Sequence, residues 1–282
     1  MRNVIACIDS GASIASICDY AAWAAQRLTA PLEFLHALAR HPERAPIADF
    51  SGSIGLGAQE SLLKELGDLD EKRSVLAQRH GRELLDGAVA RVKAVGLSDV
   101  SGVQRHGGFL ESLLDIEPQA RLFVLGNHPH AEESAQWHLD HNIERFVRSV
   151  QRPVLVTSGT FTTPQQFVIA FDGSATGRKM VEMVAKSPLL RGMPCELVAA
   201  GSQGPADDLL WAQATLAEAG FQAKATASQE PVDVFLPRLL RSGVAGLLVM
   251  GAYGHSRIRH LIIGSTTTTL LRTSPVPVLI LR

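Results

Sequence analysis

Short aliphatic runs punctuate the chain at intervals too long for hairpins. They fall at 3–8, 32–37, 100–105, 121–126 and 153–157, and again at 167–171, 195–200, 222–226, 246–250 and 277–281. Between them, apolar positions recur every three or four residues. That period predicts helices near 12–28, 60–95, 109–118 and 141–149, then near 175–187, 205–219, 232–242 and 266–273. Strands of four to six aliphatic residues joined through helices require right-handed crossovers and a parallel sheet covered on both faces. The expected fold class is α/β: two tandem doubly wound domains, each with a five-stranded, mainly parallel sheet.

The two-domain reading rests on a repeat. VIACIDS (4–10) matches VIAFDGS (168–174), RLFVLGN (121–127) matches GLLVMGA (246–252), and RPVLVT (152–157) matches VPVLIL (276–281), in the same order. The offset is 163 between Asp9 and Asp172 but 125 between Gly126 and Gly251, so the first copy carries 38 extra residues between its Asp and its Gly. The segment 40–66, broken by Pro, Gly and Ser before a helical pattern resumes, is where they belong. The polar stretch SGTFTTPQQ (158–166) reads as a linker, giving domains at 1–157 and 167–282.

Composition narrows the function. A formal net charge of -1 and a pI near 6.8 provide no broad field for a phosphate backbone, which argues against nucleic acid as a partner. No run reaches the roughly 18 apolar residues of a membrane span. The N-terminus reaches Asp9 too soon for a signal peptide. Cys7, Cys18 and Cys195 have neither metal-site nor redox-motif spacing and read as buried thiols in a reducing compartment, so a cytoplasmic protein is expected.

The chemistry concentrates in GLLVMGAYGHSRIRHLIIGS (246–265). A strand ends at Gly251, a turn passes Gly254, and a Gly264-Ser265-Thr266 step opens a new helix. Residues without a Cβ let phosphate oxygens approach backbone N–H groups, and a helix start adds its dipole and hydroxyls. In doubly wound sheets ligands sit outside the strand C-termini where the strand order reverses, which puts Asp172 and Gly251 on one rim. This is neither the G-x4-G-K-[ST] P-loop nor the G-x-G-x-x-G fingerprint, and no lysine lies between Gly251 and Arg282.

The spacing G-x2-G-x9-G-[ST], met by Gly251, Gly254, Gly264 and Ser265, resembles the universal stress protein family, and the likeness extends through both halves. It implies a fold like that of the adenine nucleotide alpha hydrolases and ATP bound in the second half, with AMP, ADP and a role for Mg2+ left open. By the same resemblance Asp172 holds the adenine region and Ala200 packs on the nucleoside. Met250 and Gly251 line the site, while Gly254, Gly264, Ser265 and Thr266 serve phosphates and ribose. His255 and Ser256 stand where side chains reach the phosphate tail. The closing strands, 153–157 and 277–281, are expected to pair within the chain as a pseudo-dimer, with a homodimer through another surface left open.

The first half departs from the pattern. Gly126 is followed by NHPHAEESAQWHLDHN, with Pro129 where Gly254 aligns and no Gly-Ser step. Proline lacks the N–H and fills space with its ring, so this copy is expected not to bind ATP in the family's manner. The same stretch gathers His128, His130, His138, Asp140 and His141, residue types that ligate zinc, although their spacing matches no established zinc motif and solvated loop histidines are the preferred account. No Glu or Lys in the second-half loop supplies a base or clamp for hydrolysis. The leading expectation is a nucleotide-linked regulatory or protective protein of the stress response, with an unidentified protein partner. A nucleotide-free interaction module and a slow ATP hydrolase are the alternatives.

Overall fold

The structure is a computed structural model that describes residues 2–9, 14–38, 56–127, 137–200, 206–243, 246–251 and 265–282. Within helices, only the backbone is described for 56–63, 137–142, 206, 265 and 266. The first half runs β1 (Asn3–Cys7), α1 (Ile14–Leu28), β2 (Leu32–Leu38), α2 (Leu56–Ala94), β3 (Val100–His106), α3 (Phe109–Ile116), β4 (Ala120–Gly126), α4 (Trp137–Ser149) and β5 (Val154–Thr157). The second runs β6 (Phe167–Ala170), α5 (Ala175–Lys186), β7 (Cys195–Ala200), α6 (Ala206–Glu218), β8 (Ala223–Ser228), α7 (Val232–Arg241), β9 (Leu247–Gly251), α8 (Ser265–Thr273) and β10 (Val278–Leu281).

The ten strands of the described residues form one sheet in the order β3-β2-β1-β4-β5-β10-β9-β6-β7-β8. Every neighbouring pair is parallel except β5 and β10, which run antiparallel with Leu155 opposite Leu279. The strand order of the first five elements is thus repeated by the last five, and the two edges that a separate copy of each would expose are closed on each other. The closing strands pair as the repeat led one to expect. The sheet is continuous across the halves rather than divided into two.

Alternation along β5 and β10 builds a core on both faces. Leu155, Leu279 and Leu281 join the cluster under α1, α2, α5 and α6, while Val154, Val156, Val278 and Ile280 join the cluster under α3, α4, α7 and α8. Each of these aliphatic side chains is buried, and full burial of such a side chain contributes about 1.5–3 kcal/mol. Polar ties reinforce the same junction: Arg27 Nε donates to the Leu189 carbonyl at 2.9 Å, Asn127 Nδ2 to the Leu271 carbonyl at 2.6 Å, and Arg272 pairs with Glu144 at 3.0 Å.

Two helices begin earlier than their apolar period announces. Helix α2 starts at Leu56 and continues through Gly57, which lies in the stretch 40–66 that the sequence pattern takes as broken. Helix α4 starts at Trp137 rather than near 141, and among its described side chains Ile143, Phe146 and Val147 reach the core. Among the described residues, no helix is long and apolar enough to cross a membrane.

Candidate functional site

In each half the strand order reverses between two central strands, β1 and β4 in the first and β6 and β9 in the second, so a crevice opens beyond their C-terminal ends. Around the second crevice the rim is built from small residues. Ala170 ends β6 and pairs in register with Met250 of β9, Gly251 follows, and Ala199 and Ala200 end β7. Met250 is buried, whereas Ala170, Ala200 and Gly251 keep partial exposure. A Cβ on Gly251 would lie 3.5 Å from Thr176 Cγ2, so the first turn of α5 forms a wall directly over that glycine.

Asp172 is held at the head of this wall. Its Oδ1 accepts the Ser174 N–H at 3.0 Å and the Ser174 hydroxyl at 2.7 Å, while the Ser174 hydroxyl oxygen accepts the Gly177 N–H at 3.0 Å and caps α5. Two glycines make room for this. Gly173 has φ of +70°, and a Cβ there would also lie 2.9 Å from the Asp208 carboxylate. A Cβ on Gly177 would lie 2.5 Å from Asp172 Oδ1, too close for the carboxylate to keep its place. Asp208 is in turn ion-paired with Arg178, whose guanidinium stacks 4.7 Å from the Trp211 ring centroid.

The structure therefore brings Asp172, Ala200, Met250 and Gly251 to one rim. Ser265 and Thr266 open α8, whose backbone starts there as the Gly-Ser step leads one to expect. Gly254, His255, Ser256 and Gly264 lie outside the described residues. Thr176, Gly173 and Gly177 were not singled out by sequence reasoning. The signal available for them was the D-G-S-x-x-G spacing of 172–177, legible only once the Asp is known to bend back over its own helix.

The first-half crevice is constructed differently. Beyond β1 and β4, the side chains of Phe109 from α3 and Ile143 from α4 close on Cys7, Ile8, Asp9, Leu125 and Gly126, leaving a cavity of about 10 Å³. That is on the order of the space for a single water. Beside it, His36 of β2 is buried with Nδ1 lacking a hydrogen-bond partner among the described residues. Burial lowers its pKa below the ordinary 6.5, the Asp9 charge opposes this, and His80 adds to it. Of the histidine candidates, His128 and His130 lie outside the described residues, and His138, Asp140 and His141 lie in the part of α4 described by backbone alone. Among the described residues no group of three or more His, Cys, Asp or Glu is placed to hold a metal ion.

Comparison with known proteins agrees with this architecture. Residues 208–282 match the model of the Universal stress protein family. Over its full length the chain is 34% identical to the universal stress protein Slr1230 of Synechocystis sp., covering 100% of both chains. Among solved structures it is similar to a universal stress protein from Archaeoglobus fulgidus, with a TM-score of 0.72, 12% identity, and 99% of this chain and 96% of that chain covered. It is also similar to a putative universal stress protein from Pseudomonas aeruginosa, with a TM-score of 0.63, 16% identity, and coverage of 100% and 93%. At those identities the structural likeness is one of fold.

Proposed function

The chain belongs to the universal stress protein family, and from that premise we propose that it binds one adenine nucleotide, ATP foremost, at the rim of residues 167–282. The carrying observation is the small-residue crevice at the β6/β9 reversal, walled by the first turn of α5, with Asp172 fixed over it and α8 starting on the same rim.

In this reading Asp172 meets the adenine side and Ala200 packs on the nucleoside. Met250 and Gly251 form the floor. Gly254, Gly264, Ser265 and Thr266 surround phosphates and ribose, with His255 beside the phosphate tail, and Mg2+ accompanies the phosphates. Glycine at 251 keeps the floor bare, which a bound polyphosphate needs if it is to approach backbone amides. The half at 1–157 acts as a degenerate partner that completes the sheet. Its filled crevice and Pro129 support that assignment.

The nucleotide serves as a ligand whose occupancy shifts how the protein meets a partner in the stress response, rather than as a fuel. Three buried free thiols support a cytoplasmic setting. Calorimetric titration of the full chain with ATP and magnesium tests the site. Binding to the unaltered chain that is lost in Gly251→Val and weakened in Asp172→Ala is the expected result. Unchanged affinity in both variants would place the nucleotide elsewhere.

A further inference from the structure

Helix α2 has 39 residues, about 58 Å at 1.5 Å per residue, and among its described side chains those that pack on the body belong to its C-terminal part. The helix meets the sheet at Gly81, where a Cβ would collide with His36 and Gln104, and from there Leu85, Ala88 and Val92 are buried. Between 64 and 76 every residue is exposed. Such a segment lacks the tertiary packing that normally supports a helix, and Gly67, with nothing within 4 Å of its would-be Cβ, weakens it by about 1 kcal/mol more.

The exposed segment is not uniformly polar. Leu66, Leu69 and Leu76 are 47%, 52% and 64% exposed. With Arg73 and His80 they follow a 3-4-3-4 spacing, the seam of a two-helix coiled coil. At about 100° per residue this seam lies about a third of the way around α2 from the face of Gly81, Leu85, Ala88 and Val92, off the packed side. The charges are segregated along it. Glu65, Asp68, Asp70 and Glu71, against the single Lys64, precede Lys72, Arg73, Arg79 and Arg82, against the single Glu83.

We propose that this stripe is a self-association surface, on which α2 of a second copy of the chain packs antiparallel. A parallel pair would lay acidic half on acidic half and basic on basic. The antiparallel pair lays each acidic half on the partner's basic half, which is the complementarity that selects orientation. A twofold axis at the level of Glu71 sets Leu66 opposite the partner's Leu76 and brings Glu65 beside the partner's Arg79 on the same flank of the seam. Arg73 then falls opposite the partner's Leu69, where its methylene stem covers the leucine and its guanidinium stays in water. Antiparallel pairing also carries the two bodies to opposite ends of the helix pair, leaving the β6/β9 crevice of each copy open.

The test uses the full chain in sedimentation velocity over a concentration series into the tens of micromolar. A monomer–dimer equilibrium is expected, weakened at least tenfold by the double variant Leu66→Glu, Leu76→Glu. Because both positions are exposed, the variant should melt like the unaltered chain diluted to a monomer, which guards against misfolding as the cause. Orientation is read by oxidative cross-linking of seam positions: in mixtures, Leu66→Cys should link to Leu76→Cys, and Leu69→Cys to Arg73→Cys, each in preference to its own kind. A chain that stays monomeric throughout the series overturns the proposal, whether or not its own residues cover the stripe. So does a dimer indifferent to the double variant, and so does preferential same-residue linkage at both 66 and 76.

Discussion

The Asp172 carboxylate is bound twice by Ser174, at 3.0 Å through the backbone N–H and 2.7 Å through the hydroxyl, and the Ser174 oxygen in turn caps α5 at Gly177. The residue assigned to the adenine side is therefore part of the turn that starts the helix. Capping of α5 and placement of the Asp172 carboxylate are one arrangement, and the missing side chain at 177 leaves the carboxylate its space.

Gly177→Ala should consequently act on both. The new methyl would sit 2.5 Å from Asp172 Oδ1, so the carboxylate must shift. A destabilisation of about 1–3 kcal/mol is expected, as for overpacking elsewhere. Nucleotide affinity should fall about tenfold or more, corresponding to about 1.4 kcal/mol. Thermal melts and calorimetry with ATP on the same preparation check the two effects. Lost stability with intact affinity would separate the turn from the site.

The β5–β10 junction should behave as core. Leu279, 2% exposed and opposite Leu155, joins the apolar cluster shared by both halves. Leu279→Ala should cost about 2–5 kcal/mol, read as a lowered midpoint in urea with little change in slope. A change below 0.5 kcal/mol, well under that range, would mean that the strand pair adds little to the fold.

His36 gives stability a defined pH dependence. Burial lowers its folded-state pKa, so below the ordinary 6.5 the unfolded chain takes up the proton more readily than the folded one. Its contribution is complete above that pH and declines as pH falls through 6.5 toward the lowered folded value. Chemical unfolding at stepped pH from 8 to 5 should show this loss, and His36→Asn should flatten it. The opposite slope would place a stabilising charge on His36.

The thiols should be silent in the folded protein. Burial pushes Cys18 and Cys195 up to about 12 and raises Cys7 as well, with Asp9 adding to the effect on Cys7. With so little thiolate, a maleimide at pH 8 should label none of the three until the chain is unfolded, when all three react. Fast labelling of the native protein would point to an opening of the core at one of these strands or helices.

Much of this was legible in the residues because the signals were local and periodic. Aliphatic runs placed the ten strands, the internal match of VIACIDS to VIAFDGS set the repeat, and the Pro-Val-Leu strings announced β5 and β10. Less legible were features fixed by contacts between distant residues. That Phe109 and Ile143 fill the first crevice depends on how α3 and α4 lie over β1 and β4, which no spacing encodes. The role of Gly177 depends on Asp172 turning back over α5. Helix α2 runs through Gly57 and Gly67 because their cost of about 1 kcal/mol each is small against the packing of its other end.

The central claim is one adenine nucleotide per chain, held by the second half alone. Its most direct measurement is mass spectrometry of the small molecules released on denaturing protein purified without added nucleotide, followed by titration of the emptied chain with ATP and magnesium. The account predicts an adenine nucleotide among the released molecules and a stoichiometry of one on titration. No release and no binding would contradict nucleotide binding itself, and a stoichiometry of two would contradict the filled first crevice.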